Sequence, residues 1–470
     1  MSAGTVFLVN PSYRELAAFT PGQVVRGIEP PHGLASLAAC LERAGIPCEL
    51  VDADGEGLGR DELLERLTDS APAVIGFTVM TPMVRRVAAL AKDLKARLPR
   101  TRILLGGVFP SAFPRRALDL IPEAEAAFIG EAEETLPAYL LGNMPSVGVL
   151  RQSDPVGRPC PPAPPPDPNS LPFPAYHKLP PLAKNYHLSL LDALRSPSGS
   201  FVRSRGCPFH CRFCDRSVTG TKYRTLSPER AVADVTRLVR EHGLRHLFFH
   251  DDTFFVRRER DLRFFMLLRD AHLDLTFGLH IQPTLLPDDE AIRVLRAAGC
   301  RMVQIGVESA APEVLKRLGK KVPLERVEAC VRAMRRHGIH VKGLFMVGCP
   351  GETPETLART FEFVRRVPFH SISVRLFTPY PGTPIAEDLR LSVDLDAEVL
   401  ERLDLNHVTW RPDGLTSSEL ERAYYRLLGG FYLRPKTLAR VAWQGLCSGQ
   451  VRALAMAFLT YLVGRILSAR

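Results

Sequence analysis

Three cysteines stand close together in "RGCPFHCRFCD", residues 205–215, at Cys207, Cys211 and Cys214, a C-x3-C-x2-C spacing. A disulfide uses two thiols, and a structural zinc site closes with four ligands normally drawn as pairs from two separated turns. Zinc held by these thiolates and His210 would crowd its ligands into eight residues. An iron–sulfur cubane suits the spacing better, because thiolates three and four residues apart on one loop each bind a different iron. Three thiolates hold three irons. The fourth iron keeps an open position, which marks a reactive centre rather than a structural one.

The elements that must carry this loop can be read from apolar periodicity. Beyond Ser196 the chain alternates strands and helices: "SFVRS" (200–204), "HLFFH" (246–250), "LTFGLHI" (275–281), "RMVQIGV" (301–307), "KGLFMVG" (342–348) and "ISVRLFT" (372–378) read as six parallel strands. Helical patterns such as "PERAVADVTRLVREHG" separate them. Six βα units in a row predict a complete or partial parallel barrel, whose chemistry belongs to the loops after the strands. The cysteine motif follows the first strand. "DDTF" (251–254), "HIQP" (280–283), "ESA" (308–310), "GCPGET" (348–353) and "TPYPGTP" (378–384) follow the others. Each alone reads more simply as a helix cap or a turn; their coincidence on one barrel face predicts a site.

The first third predicts a second α/β unit. Its strands are "TVFLV" (5–9), "CELVD" (48–52), "AVIGFTV" (73–79), "RILLGG" (102–107) and "AAFIGE" (126–131), with amphipathic helices between them. In such a five-stranded doubly wound domain, ligands sit outside the carboxyl ends of the strands. The loops there are "NPSYRE", "TVMTPM", "GGVFPSAF" and "GEAEETL", which put Asn10, Thr78, Met80, Thr81, Gly106, Gly107, Gly130 and Glu131 in one candidate pocket. Its glycines would let the backbone approach a flat or bulky ligand, although each by itself is also an ordinary turn. No G-x-G-x-x-G opens the first helix and no G-x-x-x-x-G-K-[ST] occurs, which disfavours dinucleotides and P-loop nucleotides. The proline density of 154–181 continues neither helices nor central strands and reads as an interdomain linker.

At 470 residues the chain is long enough for two or three domains. The other cysteines, Cys40, Cys48, Cys160, Cys300, Cys330, Cys349 and Cys447, are scattered singly, several in apolar runs, as in a protein of the reducing cytosol. The N-terminus lacks the basic region and long apolar core of a signal peptide, so no export is expected. The net charge of +10 is concentrated late, with no acidic residue after Glu421. The apolar run 453–463 is far short of the roughly 20 residues that span a bilayer. Two readings of "VRALAMAFLTYLVGRILSAR" stay open: a terminal helix packed on the body with a basic exposed face, or an interfacial helix in peripheral contact with membrane near a lipid-soluble substrate.

With Phe213 before its last cysteine, the motif resembles the radical S-adenosylmethionine (SAM) superfamily. In that family the open iron chelates the amino and carboxylate groups of SAM, and one electron cleaves the sulfonium to a 5′-deoxyadenosyl radical. The resemblance implies that Cys207, Cys211 and Cys214 hold a [4Fe-4S] cluster. It implies that Asp251, Asp252, Thr253, Glu308, Gly348 and Phe213 serve SAM, through "DDT", the fourth-strand glutamate, "VKGLFMVGCPGE" and the motif aromatic. The stretches "PPHGLASLAACLERAG", "LGGVFPS" and "IGEAEETLPAYL" are similar to the cobalamin-binding half of B12-type radical SAM enzymes, and the two likenesses cover about residues 1–390. The D-x-H-x-x-G motif, whose histidine coordinates cobalt in many B12 proteins, is absent after the first strand. His32 is more simply a surface or packing residue than its substitute, and the axial position stays unassigned.

The implied organisation is a flavodoxin-like cobalamin domain over 1–145, a Pro-rich linker over 146–195, a partial (β/α)6 radical SAM core over 196–390 and a helical region over 391–470. The implied activity is C-methylation of an unactivated carbon in a small, hydrophobic metabolite, with SAM, cobalamin and the cluster as cofactors. Its partner would be a flavodoxin- or ferredoxin-type electron donor. Oxidative cyclisation, as in the anaerobic magnesium-protoporphyrin monomethyl ester cyclase group, is the alternative chemistry, and a non-catalytic cluster or cobalamin sensor the alternative outside enzymes. Nucleic acid is not expected: the methylthiolating branch carries an N-terminal cysteine trio, whereas this N-terminal domain has only Cys40 and Cys48.

Overall fold

The computed structural model describes residues 4–13, 26–391, 396–447 and 451–467. Arg14 and Glu15 of the first loop, and Ser468, Ala469 and Arg470 of the basic tail, lie outside the described residues. The first sheet is built from β1 (Val6–Asn10), β2 (Cys48–Asp52), β3 (Val74–Thr78), β4 (Arg102–Gly106), β5 (Ala126–Phe128) and β6 (Val149–Arg151). Its order is β2-β1-β3-β4-β5-β6, parallel except for β6, which runs antiparallel to β5. Side chains alternate across a strand, so Val6 and Leu8 pack with the helix His32–Arg43, while Phe7 and Val9 pack with the helix Val84–Arg97. The near-continuous apolar runs follow from this burial on both faces.

The sixth strand was not expected. Val149–Arg151 has only three residues, too few to show a period, and it falls inside the stretch expected to be linker. The rest of that stretch lies along the body rather than swinging free. Tyr176, Leu179, Leu182 and Tyr186 are buried, the Tyr186 hydroxyl donates to Asp52 at 2.7 Å, and His187 bridges to Ile28.

The second sheet begins with β7 (Ser198–Phe201), two residues earlier than the sequence pattern indicates. A short antiparallel ribbon, β8 (Ser204–Arg205) and β9 (Arg224–Thr225), comes next. Then follow β10 (His246–Phe249), β11 (Thr276–Ile281), β12 (Cys300–Glu308), β13 (His340–Val347) and β14 (Ser371–Leu376). All neighbours in the order β14-β13-β12-β11-β10-β7 are parallel, and among the described residues β14 does not pair with β7. The barrel is therefore open, with β14 at an edge. Helix 417–432 packs against β14, where the Tyr432 hydroxyl accepts from the Ile372 N–H at 3.1 Å and donates to its carbonyl at 2.6 Å. A side chain thus satisfies backbone groups that an edge strand leaves unpaired.

Candidate functional site

The cysteine loop, residues 206–223, is tied off by the β8–β9 ribbon. It enters through Gly206 at φ +82°, where a Cβ would meet the Lys222 carbonyl at 2.4 Å, so no other residue fits. The Arg212 N–H donates to Leu318 O at 2.9 Å, and the Arg212 carbonyl accepts from the Ile385 N–H at 3.1 Å. Phe213 packs against the apolar cluster of Val314, Leu318, Phe377 and Ile385. It holds the loop on the barrel. Burial, then Asp252 and the other two thiols, pushes the Cys214 thiol up to about 12, and burial also raises Cys207 and Cys211. Three thiolates in mutual reach beside a carboxylate need a cation among them. Among the described residues no three His, Cys, Asp or Glu side chains are placed to hold a single metal ion. A cluster in which each thiolate binds a different iron would supply that cation.

The polar residues expected around SAM separate into two groups. Asp252 stays open to the site, within electrostatic reach of Cys207 and Cys214. Asp251 and Thr253 are fully buried. Asp251 accepts from the Arg203 N–H at 2.8 Å, Arg203 Nε at 3.1 Å and Ser204 Oγ at 2.6 Å, while Thr253 Oγ1 accepts from the Gln282 N–H and donates to Phe254 O. Their polar atoms are occupied inside the fold, so the triplet presents only Asp252. Glu308 is brought to the cysteines: its Oε1 accepts from Lys320 at 2.5 Å, and both charges act on Cys211. It sits at φ +64° beside a register shift in β12, a costly backbone for a side-chain-bearing residue and one often found at functional sites. Gly348 directly follows β13 and precedes Cys349, which lies within electrostatic reach of Glu308. The Gly348 N–H and that of Cys349 are held by Glu352, and a Cβ on Gly348 would touch Leu420 of the C-terminal helix 417–432.

A cavity of about 490 Å³ opens over the carboxyl ends of β1, β3 and β4 and faces the cysteine loop. Asn10, Thr78, Met80, Gly106, Gly107, Gly130 and Glu131 all line it. Thr81 does not; it is buried at the start of the turn Thr81–Met83. Leu8, Phe77, Leu104 and Phe128 make much of the wall apolar, and a Cβ on Gly106 would meet nothing within 4 Å, so the floor is open space. A broad, flat, largely apolar group such as a corrin fits such a site.

Glu131 has a second duty at this cavity. It receives Arg205 at 2.7 Å and Arg224, and Glu133 receives Arg205 at 2.6 Å. These arginines lie on β8 and β9, so the N-terminal domain clamps the ribbon that bears the cysteines. His32 also lines the cavity, with Nδ1 at 2.8 Å from the Tyr176 hydroxyl and Nε2 at 2.8 Å from Ser200 Oγ. Burial, then the His250 charge, holds its pKa down to about 4. Both ring nitrogens are engaged, which leaves no lone pair for cobalt.

A larger chamber of about 710 Å³ adjoins the first, and Asn10 and Met80 belong to both walls. Its other walls come from β13, β14, residues 189–192 and the C-terminal helices, including Leu428, Leu454, Phe458 and Tyr461. Between the two cavities stands a Glu29–His250 pair. Burial would raise Glu29, but the hydrogen bond and charge of His250 overcome it and hold the carboxyl at about 2.

Sequence reasoning did not single out Arg205, Arg224, Glu133 or Lys320. Each finds its partner far along the chain, except that Lys320 follows Glu308 by twelve positions. The one available signal was the pair of arginines bracketing the cysteine loop.

Known proteins resemble this chain in sequence and in fold. Residues 201–364 match the family model of the radical SAM superfamily, and residues 21–140 that of the B12 binding domain. An uncharacterized methyltransferase of Pyrococcus horikoshii is 26% identical over 433 residues, covering 89% of this chain and 91% of that protein. The anaerobic magnesium-protoporphyrin IX monomethyl ester cyclase of Cereibacter sphaeroides is 26% identical over 462 residues, covering 94% of this chain and 72% of that one. The structure of TsrM, a radical S-adenosylmethionine methyltransferase from Kitasatospora setae with cobalamin and a [4Fe-4S] cluster bound, superposes with a TM-score of 0.70 at 18% identity. The match covers 97% of this chain and 99% of TsrM, and at that identity it speaks for the fold alone.

Proposed function

Because the chain belongs to the cobalamin-binding radical SAM superfamily, we propose that it methylates an unactivated carbon of a small, largely apolar molecule. The observation that carries this reading is the chamber of about 710 Å³ that shares Asn10 and Met80 with the glycine-floored cavity. When bound, SAM on the cluster supplies one-electron hydrogen abstraction and cobalamin supplies the methyl group. Cys207, Cys211 and Cys214 would hold the cluster; Asp252 and the Glu308–Lys320 pair stand where SAM's polar groups would be received. Gly106, Gly107, Gly130, Asn10, Thr78 and Met80 would receive the corrin. The apolar part of the wall would shelter the reacting carbon, and the Glu131 clamp would hold the cysteine loop against the corrin cavity.

A one-electron donor of flavodoxin or ferredoxin type would serve this chemistry, as radical SAM enzymes need a reductant. No described helix is long and apolar enough to cross a membrane. Peripheral contact with anionic lipid is the finer reading of the C-terminal helices, supported by Trp443, Leu446, Leu459 and Ile466, each more than half exposed among arginines.

The test is anaerobic purification with cluster and cobalamin reconstitution, followed by turnover with SAM. Wild-type protein is expected to cleave SAM and Cys214→Ala to lose that cleavage; a variant that still cleaved it would remove the cluster assignment. Product mass separates the chemistries, because methylation adds one methylene and cyclisation removes hydrogens.

A further inference from the structure

Six charged side chains line the larger chamber: Arg26, Glu29, Asp54, Asp192, Lys342 and Arg375. Five of them are paired within the protein. Arg26 lies 3.6 Å from Asp54, Glu29 bonds His250, and Lys342 reaches both oxygens of Asp192 at 2.8 and 3.0 Å. Arg375 is the exception: it is half-buried on β14 and has no hydrogen-bond or ion-pair partner among the described residues. Its guanidinium is within electrostatic reach of the Tyr13, Tyr380 and Tyr424 rings, none of which carries a negative charge at neutral pH. Asp404, which also faces Tyr13 and Tyr380, is engaged by His407 at 3.0 Å and by the Asn406 N–H.

Withdrawing a guanidinium from water without a counter-charge is costly, and the fold supplies a counter-charge to every other ion in this wall. Arginine's planar fork matches the two oxygens of a carboxylate or of a phosphate-type group. We infer that the chamber binds an amphiphile whose anionic group, a carboxylate or a phosphate, pairs with Arg375 while its apolar body lies against Leu428, Leu454 and Phe458. This rests on the chamber being the substrate site of the methylation reading. Anchoring one end of the molecule fixes how far along it the reacting carbon lies.

Isothermal titration of the full chain, reconstituted with cluster and cobalamin, with decanoate, decyl phosphate, 1-decanol and decylamine tests this without turnover. Wild-type protein is expected to bind one or both anions more tightly than the alcohol, with the amine weakest; the tighter anion identifies the head group. Arg375→Gln is expected to weaken anion binding by about tenfold or more, the value of a charge-assisted hydrogen bond, and to leave the alcohol unchanged. Arg375→Lys, which keeps the charge but not the fork, is expected to fall between. Equal binding of acid and alcohol, no binding of any of the four, or unchanged decanoate affinity in Arg375→Gln would each overturn the inference. So would loss of SAM binding in Arg375→Gln, which would assign the guanidinium to the cofactor. Absence of SAM cleavage in wild-type protein would defeat the methylation reading and leave these affinities standing.

Discussion

Arg203 is one of the largest wholly buried side chains, and it serves two acids: Asp251 through Nε at 3.1 Å and Asp261 through Nη1 at 2.6 Å. Arg203→Met removes the only cation of that trio and strands two carboxylates, so unfolding in urea should show a loss of about 3–5 kcal/mol. Glu352 makes a different prediction. Burial raises its carboxyl from 4.5 to about 7 despite the Gly348 and Cys349 N–H groups, and its Oε1 has no hydrogen-bond partner among the described residues. The folded chain holds this proton more tightly than the unfolded chain does. Its stabilisation is therefore complete below pH 4.5 and is lost as pH rises through about 7. Glu352→Gln cannot titrate, so its stability relative to wild type should rise across that window by about 3 kcal/mol, read from denaturant midpoints at several pH values. At this scale the sequence displayed the cysteines, because all three sit within one short loop. It hid Arg203, whose partners lie 48 and 58 positions away.

The β8–β9 ribbon is two residues wide on each side, too short to hold the cysteine loop by its own ladder. Its arginines hold it instead, against Glu131 and Glu133. Glu131→Ala should therefore loosen the loop selectively: amide exchange across 206–223 should speed up by about tenfold while β10 to β13 are unaffected. Uniform acceleration would mean global destabilisation, and no change would mean that the ribbon needs no clamp. The long apolar strands were legible because burial on both faces leaves continuous runs. The exceptions follow from length and partner: β6 is too short to show a pattern, and the proline-rich stretch packs through Tyr176, Leu179, Leu182 and Tyr186, which its prolines conceal.

Across the whole molecule, the positive charge after Glu421 coincides with the exposed apolar surface of helices 435–447 and 451–467. Phosphatidylglycerol vesicles should sediment the protein and phosphatidylcholine vesicles should not, with release as salt rises from about 0.1 M to about 1 M. Leu459→Glu combined with Ile466→Glu should abolish the binding; equal sedimentation with both lipids would remove the lipid reading. The composition displayed the charge, but the chamber beneath these helices was invisible in sequence, since its walls come from residues 10 to 461. Asn10 and Met80 stand in both cavity walls, so a movement of either side chain on one side is felt on the other. Any cofactor that shifts those side chains changes the affinity of the neighbouring chamber, and by reciprocity a substrate changes the cofactor's affinity by the same factor. Loading order then becomes a measurable property of one shared partition.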